Sequence, residues 1–278
     1  MTTPVFVLAG QSNVGFLSSE IEQAFDDEYG LGNYELIRVF DAGAPLTRER
    51  ENQLDWSNPD ELREDLTVET INALLADDDR VFGGMIWVQG EADTFFAGGA
   101  DRYGETLDEL IDGFRDDVST AMGDIDVGMN TANVTILELS ENAPDAPDRV
   151  GWDTVIAEQR EVADADPTVQ TLDPDTVAQD ADVAASDMFR DGLHYEDDFG
   201  AILADELVQT LAFSPPEVGD DGDGSPVPPF PTLPVTDEGP PLDDMQADGA
   251  EEDGDDGGFG FEAILFLLPL LPLLGMVG

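Results

Sequence analysis

The sequence predicts a three-layer α/β/α domain built on a five-stranded, mostly parallel sheet. Short apolar runs of strand length fall at 5–9, 35–40, 84–88, 134–139 and 169–172. Between and after them lie helical patterns at about 18–25, 60–76, 101–119, 152–165 and 200–211. The chain has 278 residues, 41% of them hydrophobic, which is enough for one sizeable core. Strands alternating with helices need crossover connections, and these lay helices on both faces of a parallel sheet. Five such strands suit the flavodoxin-like order 2-1-3-4-5, where sites gather outside the carboxyl ends of the strands.

The first apolar run follows Met1 to Pro4, which carry no basic residue, and it is too short for the core of a secretory signal. It reads as the first buried strand. It ends in Gly10-Gln11-Ser12-Asn13, a serine at a strand-to-helix turn. Such a serine is either an ordinary helix cap or a nucleophile whose own N–H faces a developing oxyanion. The second strand is followed by Asp41-Ala42-Gly43-Ala44-Pro45-Leu46, where Gly43 is either a plain turn glycine or a further oxyanion donor. The third strand ends in Trp87-Val88-Gln89-Gly90-Glu91-Ala92-Asp93. Trp87 reads as core. The Gln89 amide is either part of a polar loop or a donor that stabilises an oxyanion without changing charge.

Before the last helix comes Asp191-Gly192-Leu193-His194, which holds the chain's single histidine. Histidine is the usual general base near neutral pH, and a carboxylate three residues earlier can fix its tautomer. One histidine among scattered carboxylates is no metal-ligand set, and there is no cysteine for a disulfide or a thiolate site. No metal or organic cofactor is expected.

Charge bounds the partners. The chain holds 64 acidic residues against 10 basic ones, all arginine. Residues 1–213 hold 49 of the acids and all the arginines, so the acidity belongs to the folded body as well as the tail. Such a field repels nucleic acid and anionic membranes, and self-repulsion destabilises the compact state unless salt screens it. The expectation is an acidic protein of a saline setting, outside the cell or at its surface; the alternative is an ordinary acidic protein with a solvated surface, in the cytoplasm.

The composition changes after residue 213. Residues 214–258 are rich in Pro, Gly, Asp and Glu and are expected to form a disordered linker. Residues 259–278 are apolar, but Pro269 and Pro272 interrupt a run too short for a simple membrane-spanning helix. That segment is a sorting signal, a membrane-associating end, a partner-binding plug or a strand of chain packed on the domain.

Taken in order, GQSN, WVQGEAD and DGLH resemble the sialate O-acetylesterase and acetylxylan esterase branch of the SGNH/GDSL hydrolases. That branch reads GQSNM, WHQGESD and DGxH. The resemblance spans about residues 4–213. It implies hydrolysis of acetyl esters on carbohydrate, with Ser12 as nucleophile, His194 as base and Asp191 as its partner. The implied oxyanion donors are the Ser12 N–H, Gln89 and Gly43. Gln11, Asn13 and Glu91 are the candidate substrate contacts. Val14, Val88 and Ala92 stand where the branch carries Met, His and Ser, so the substrate is less defined than the reaction. The alternative is a catalytically silent module of the same fold that binds carbohydrate or a partner.

Overall fold

In the computed structural model, which describes residues 2–123, 125–211 and 213, the first apolar run becomes an interior strand of the sheet. Strand β1 (Thr3–Gly10) is buried from Pro4 onward, as a strand covered on both faces must be. The chain continues through α1 (Ser12–Tyr29), β2 (Glu35–Phe40), α2 (Leu62–Leu75), β3 (Arg80–Val88), α3 (Ala97–Ala100) and α4 (Tyr103–Met122). It then forms β4 (Val134–Leu137), α5 (Trp152–Ala165), β5 (Val169–Leu172), α6 (Pro174–Asp180) and α7 (Asp197–Leu211). The linker and apolar segment expected at 214–258 and 259–278 lie outside the described residues.

The strand order is β2-β1-β3-β4-β5 and every pairing is parallel, so the expected topology is borne out. Helices α1 and α7 pack together on one face, and α2, α4 and α5 line the other. On the first face the Phe6 ring meets Phe25 and Tyr29, at centroid distances of 4.7 and 5.0 Å. On the second, Trp56 meets Trp87 edge-on at 4.8 Å, and both indoles are fully buried. Trp87 is thus core, as its sequence context suggested.

The register places the site. Gly10 pairs with Phe40 on one side and with Val88 on the other. Three strands therefore end level, and the loops after them meet above one edge of the sheet.

The structure departs from the sequence reading in several places, among them the added helix α6. Helix α1 starts at Ser12, six residues before the expected 18, because Asn13, Val14 and Leu17 already face inward in step with Ile21, Ala24 and Phe25. Gly15, Ser18 and Ser19 lower the intrinsic propensity of this first half, and tertiary packing overrides it. The connection after β3 is not plain loop. It forms a 3₁₀ turn at Glu91–Phe95 and the short helix α3, and this turn carries polar residues into the interior.

Candidate active site

The Ser12 turn is forced by close backbone approach. Gly10 has φ +147, and a Cβ there would collide with the carbonyl of Val88. Gln11 N–H donates to that carbonyl at 2.9 Å, while the Trp56 indole N–H donates to the Gly10 carbonyl at 2.9 Å. The chain thus turns tightly over the sheet edge and enters α1 at Ser12. As the first residue of the helix, Ser12 has an N–H with no acceptor inside it, at the positive end of the helix dipole.

A second loop brings His194 to Ser12. Phe189 and Tyr195 form an antiparallel bridge, and their rings stack at 5.0 Å. Within that clamp the Arg190 N–H donates to the His194 carbonyl at 2.9 Å. His194 Nε2 lies 3.0 Å from Ser12 Oγ, and its Nδ1 lies 2.8 Å from Asp191 Oδ2. Asp191 Oδ1 also accepts the N–H groups of Leu193 and His194, each at 2.8 Å. Partial burial works against the charged carboxylate, but the backbone and imidazole hydrogen bonds outweigh it and hold the Asp191 pKa down to about 2. Asp191, His194 and Ser12 thus form one hydrogen-bonded line, in which the imidazole can accept the hydroxyl proton.

Gln89 is buried beneath this line, 1% exposed. Its Nε2 donates to Asp93 Oδ2 at 2.7 Å and to the Ala44 carbonyl at 3.1 Å. Both amide hydrogens are therefore engaged in the free protein. Asp93 was quoted within its motif but assigned no part by the sequence. It accepts Leu46 N–H through Oδ2, and Thr47 N–H and Oγ1–H through Oδ1, at 2.8, 2.9 and 2.6 Å. Its carboxylate thereby stitches the loop after β2 to the turn after β3. Its position four residues past Gln89 was the available signal. Gly43 lies in that loop, exposed, with φ +68 and open space where a Cβ would point.

The candidate substrate contacts Gln11, Asn13 and Glu91 lie inside the protein. All three are buried, at 3%, 1% and 6% exposed. Asn13 Nδ2 donates to Glu91 Oε1 at 2.7 Å and to the Leu193 carbonyl at 3.2 Å. Gln11 Oε1 accepts Ala92 N–H at 3.3 Å. These side chains tie α1, the turn after β3 and the His194 loop together from below.

Aromatic rings and arginines pair beside His194 and on the turn after β3. The Phe16 ring packs on His194 at 4.2 Å, with Arg190 over it at 5.0 Å. Phe95 and Phe96 are more than half exposed, and Arg149 and Arg48 lie over their rings at 4.1 and 4.9 Å. Sequence reasoning missed Phe16 because it placed the helix start too late. A cavity of about 320 Å³ lined by Val81, Phe82, Asn133 and Leu211 lies at the opposite end of the sheet from Ser12. Among the described residues no three His, Asp or Glu side chains are grouped to hold a metal ion, and no helix is long and apolar enough to cross a membrane.

Residues 51–182 match the family described as carbohydrate esterase, sialic acid-specific acetylesterase. The match contains Gln89, Glu91 and Asp93, while Ser12, Asp191 and His194 flank it. Solved structures share the fold. NanS aligns with a TM-score of 0.54 at 12% identity, over 76% of this chain and 97% of that one. A protein from Arabidopsis thaliana aligns at 0.53 and 13%, over 76% of this chain and all of that one. The chain has the fold of the SGNH/GDSL hydrolases, and its middle part resembles the carbohydrate esterase family. A member of the lipolytic G-D-S-L family from Veillonella parvula aligns with this chain at 0.50 and 13% identity, over 76% of this chain and 99% of that one. At such identities the structural likeness is one of fold. No curated protein matches this chain.

Proposed function

We propose that the protein removes O-acetyl groups from carbohydrate through a Ser12–His194–Asp191 triad. The observation that carries this reading is the unbroken line of 3.0 and 2.8 Å contacts from Ser12 Oγ through the imidazole to Asp191. Ser12 Oγ attacks the acetyl carbonyl as His194 Nε2 takes its proton, forming a tetrahedral oxyanion. His194 then protonates the departing sugar oxygen, leaving an acetyl-Ser12 ester. Water, deprotonated by His194, attacks that ester and releases acetate and free Ser12. Asp191 stays ionised throughout and stabilises the imidazolium.

The oxyanion sits on the Ser12 N–H, with the Gly43 N–H as a second donor. Gln89 is a third donor only if its longer bond, to the Ala44 carbonyl, yields to the oxyanion. The bond to Asp93 would keep the amide aimed. The substrate reading draws on the resemblance of residues 51–182 to the carbohydrate esterase family and on the exposed aromatic rings. The exposed faces of Phe95 and Phe96 suit the apolar faces of sugar rings, and the neighbouring arginines suit acidic groups on them.

Hydrolysis of 4-nitrophenyl acetate, then of acetylated sialate and acetylated xylan, tests this. Ser12→Ala and His194→Ala should each abolish turnover while leaving the melting temperature near that of the wild type. Full turnover by folded Ser12→Ala would refute the triad. A wild-type protein that binds these glycans but hydrolyses none would point to the silent binding module.

A further inference from the structure

Asn13 and Glu91 carry an imbalance of donors that a single proton repairs. Asn13 Nδ2 donates to Glu91 Oε1 at 2.7 Å. The remaining side-chain oxygens, Asn13 Oδ1 and Glu91 Oε2, are buried without a hydrogen-bond partner among the described residues. With Glu91 ionised, both of these oxygens are acceptors only. A carboxylic acid and a carboxamide complement each other instead. The acid accepts N–H with one oxygen and donates O–H to the amide oxygen from the other. We propose that Glu91 is held as the neutral acid and closes this two-bond ring on Asn13, acting as a positioning residue for His194. The functional half of the proposal rests on the reading of Ser12 and His194 as the reacting pair.

The surroundings support a neutral group. Burial pushes the Glu91 pKa upward, and its hydrogen bonds and the charges of Arg149 and His194 oppose that push without reversing it. Arg149 does not bond the carboxyl group. It donates to the Glu91 backbone carbonyl at 2.8 Å and reaches Asp145 at 3.3 Å. Asp93, on the same 3₁₀ turn, is engaged by Gln89, Leu46 and Thr47. The Tyr103 and Tyr195 phenols are also nearby, both with pKa values raised, mainly by burial.

The ring reaches the reacting atoms through one carbonyl. Asn13 Nδ2 also donates to the Leu193 carbonyl at 3.2 Å, one residue before His194. Loss of the proton would set a carboxylate oxygen against Asn13 Oδ1. The amide would turn to relieve that repulsion, and Nδ2 would leave the Leu193 carbonyl.

The test compares wild type, Glu91→Gln and Glu91→Ala as full chains. The carboxamide of Glu91→Gln can make both ring bonds at every pH, so it should rescue what Glu91→Ala loses. Glu91→Ala should lower kcat for 4-nitrophenyl acetate about tenfold with little change in KM, the scale of one lost positioning hydrogen bond. In wild type, kcat should fall on the alkaline side as Glu91 ionises, and Glu91→Gln should lack that limb. Infrared difference spectra of wild type against Glu91→Gln should show a protonated carboxyl at neutral pH.

Melting gives a further sign. A folded-state pKa above the unfolded one means the folded chain keeps a proton that the unfolded chain releases, so stability falls as pH rises above the ordinary carboxylate range. Glu91→Gln should therefore melt progressively higher than wild type as pH rises. An ionised Glu91 at neutral pH, a folded Glu91→Gln as slow as Glu91→Ala, or an unchanged alkaline limb in Glu91→Gln would overturn the proposal. The infrared and melting measurements, repeated in a Ser12→Ala background, stand even if the catalytic reading fails.

Discussion

Asp191 is half exposed, yet its carboxylate accepts three short hydrogen bonds, two from backbone N–H groups and one from the His194 ring. Its pKa of about 2 lies below that of an unfolded aspartate, so it stabilises the fold above roughly pH 4. That contribution is lost as pH falls through about 2. Asp191→Asn should remove this dependence, and the gap in melting temperature from wild type should close between about pH 4 and pH 2. On the triad reading the same change should lower kcat roughly 10⁴-fold, because an amide favours the wrong imidazole tautomer. Turnover within tenfold of wild type would reduce Asp191 to a loop-holding group. Gln89→Ala should cost on the order of 10²–10³ in kcat if Gln89 reaches the oxyanion. A wild-type rate would leave Gln89 only the part of holding the Ala44 carbonyl in place.

Two connections decide whether the strand ends meet as a site. In the first, Gly10→Ala would drive a methyl group into the Val88 carbonyl and demand a backbone conformation that alanine rarely adopts. It should lower both the melting temperature and esterase activity. A protein with wild-type melting and turnover would mean that the turn is less constrained than its contacts imply. In the second, Asp93 is 1% exposed and accepts only from donors. Asp93→Asn would set an NH₂ group against one of them and should cost roughly 1–3 kcal/mol, measurable by denaturant unfolding. These connections mark the limit of what the sequence made legible. Ser12 and Gln89 could be found because residue type and strand-end position coincide there, and the Asp191–His194 pair because the chain's single histidine stands three residues after a carboxylate. The inward roles of Asn13 and Glu91 could not, because their burial comes from partners 78 and 180 residues away in the chain. A polar side chain in a loop reads as exposed until the packing around it is known. The early start of α1 was hidden in the same way, since its glycine and serines are overruled only by what they pack against.

At the scale of the molecule, residues 1–213 carry 49 acidic side chains and 10 arginines. Several arginines are already engaged, as Arg115 is with Asp166 at 2.6 Å and Arg160 is with Glu138 at 2.7 Å. The surplus repels itself over a Debye length that shrinks from about 30 Å at 0.01 M salt to about 3 Å at 1 M. The melting temperature should therefore rise between about 0.05 and 2 M NaCl, which would support the proposed saline, extracellular setting. The tryptophans Trp56, Trp87 and Trp152 are buried in the α/β/α domain, so their fluorescence reports its unfolding in the full-length protein. A flat or falling series would remove the reason for that setting. The pairing of α1 with α7 acts on a different clock. Ser12 and His194 stand 182 positions apart, so the two halves of the proposed triad leave the ribosome far apart in time. At about 5–20 residues per second that interval is roughly 10–40 s. On the triad reading, ribosome-stalled chains should gain esterase activity only after the α7 segment has cleared the exit tunnel.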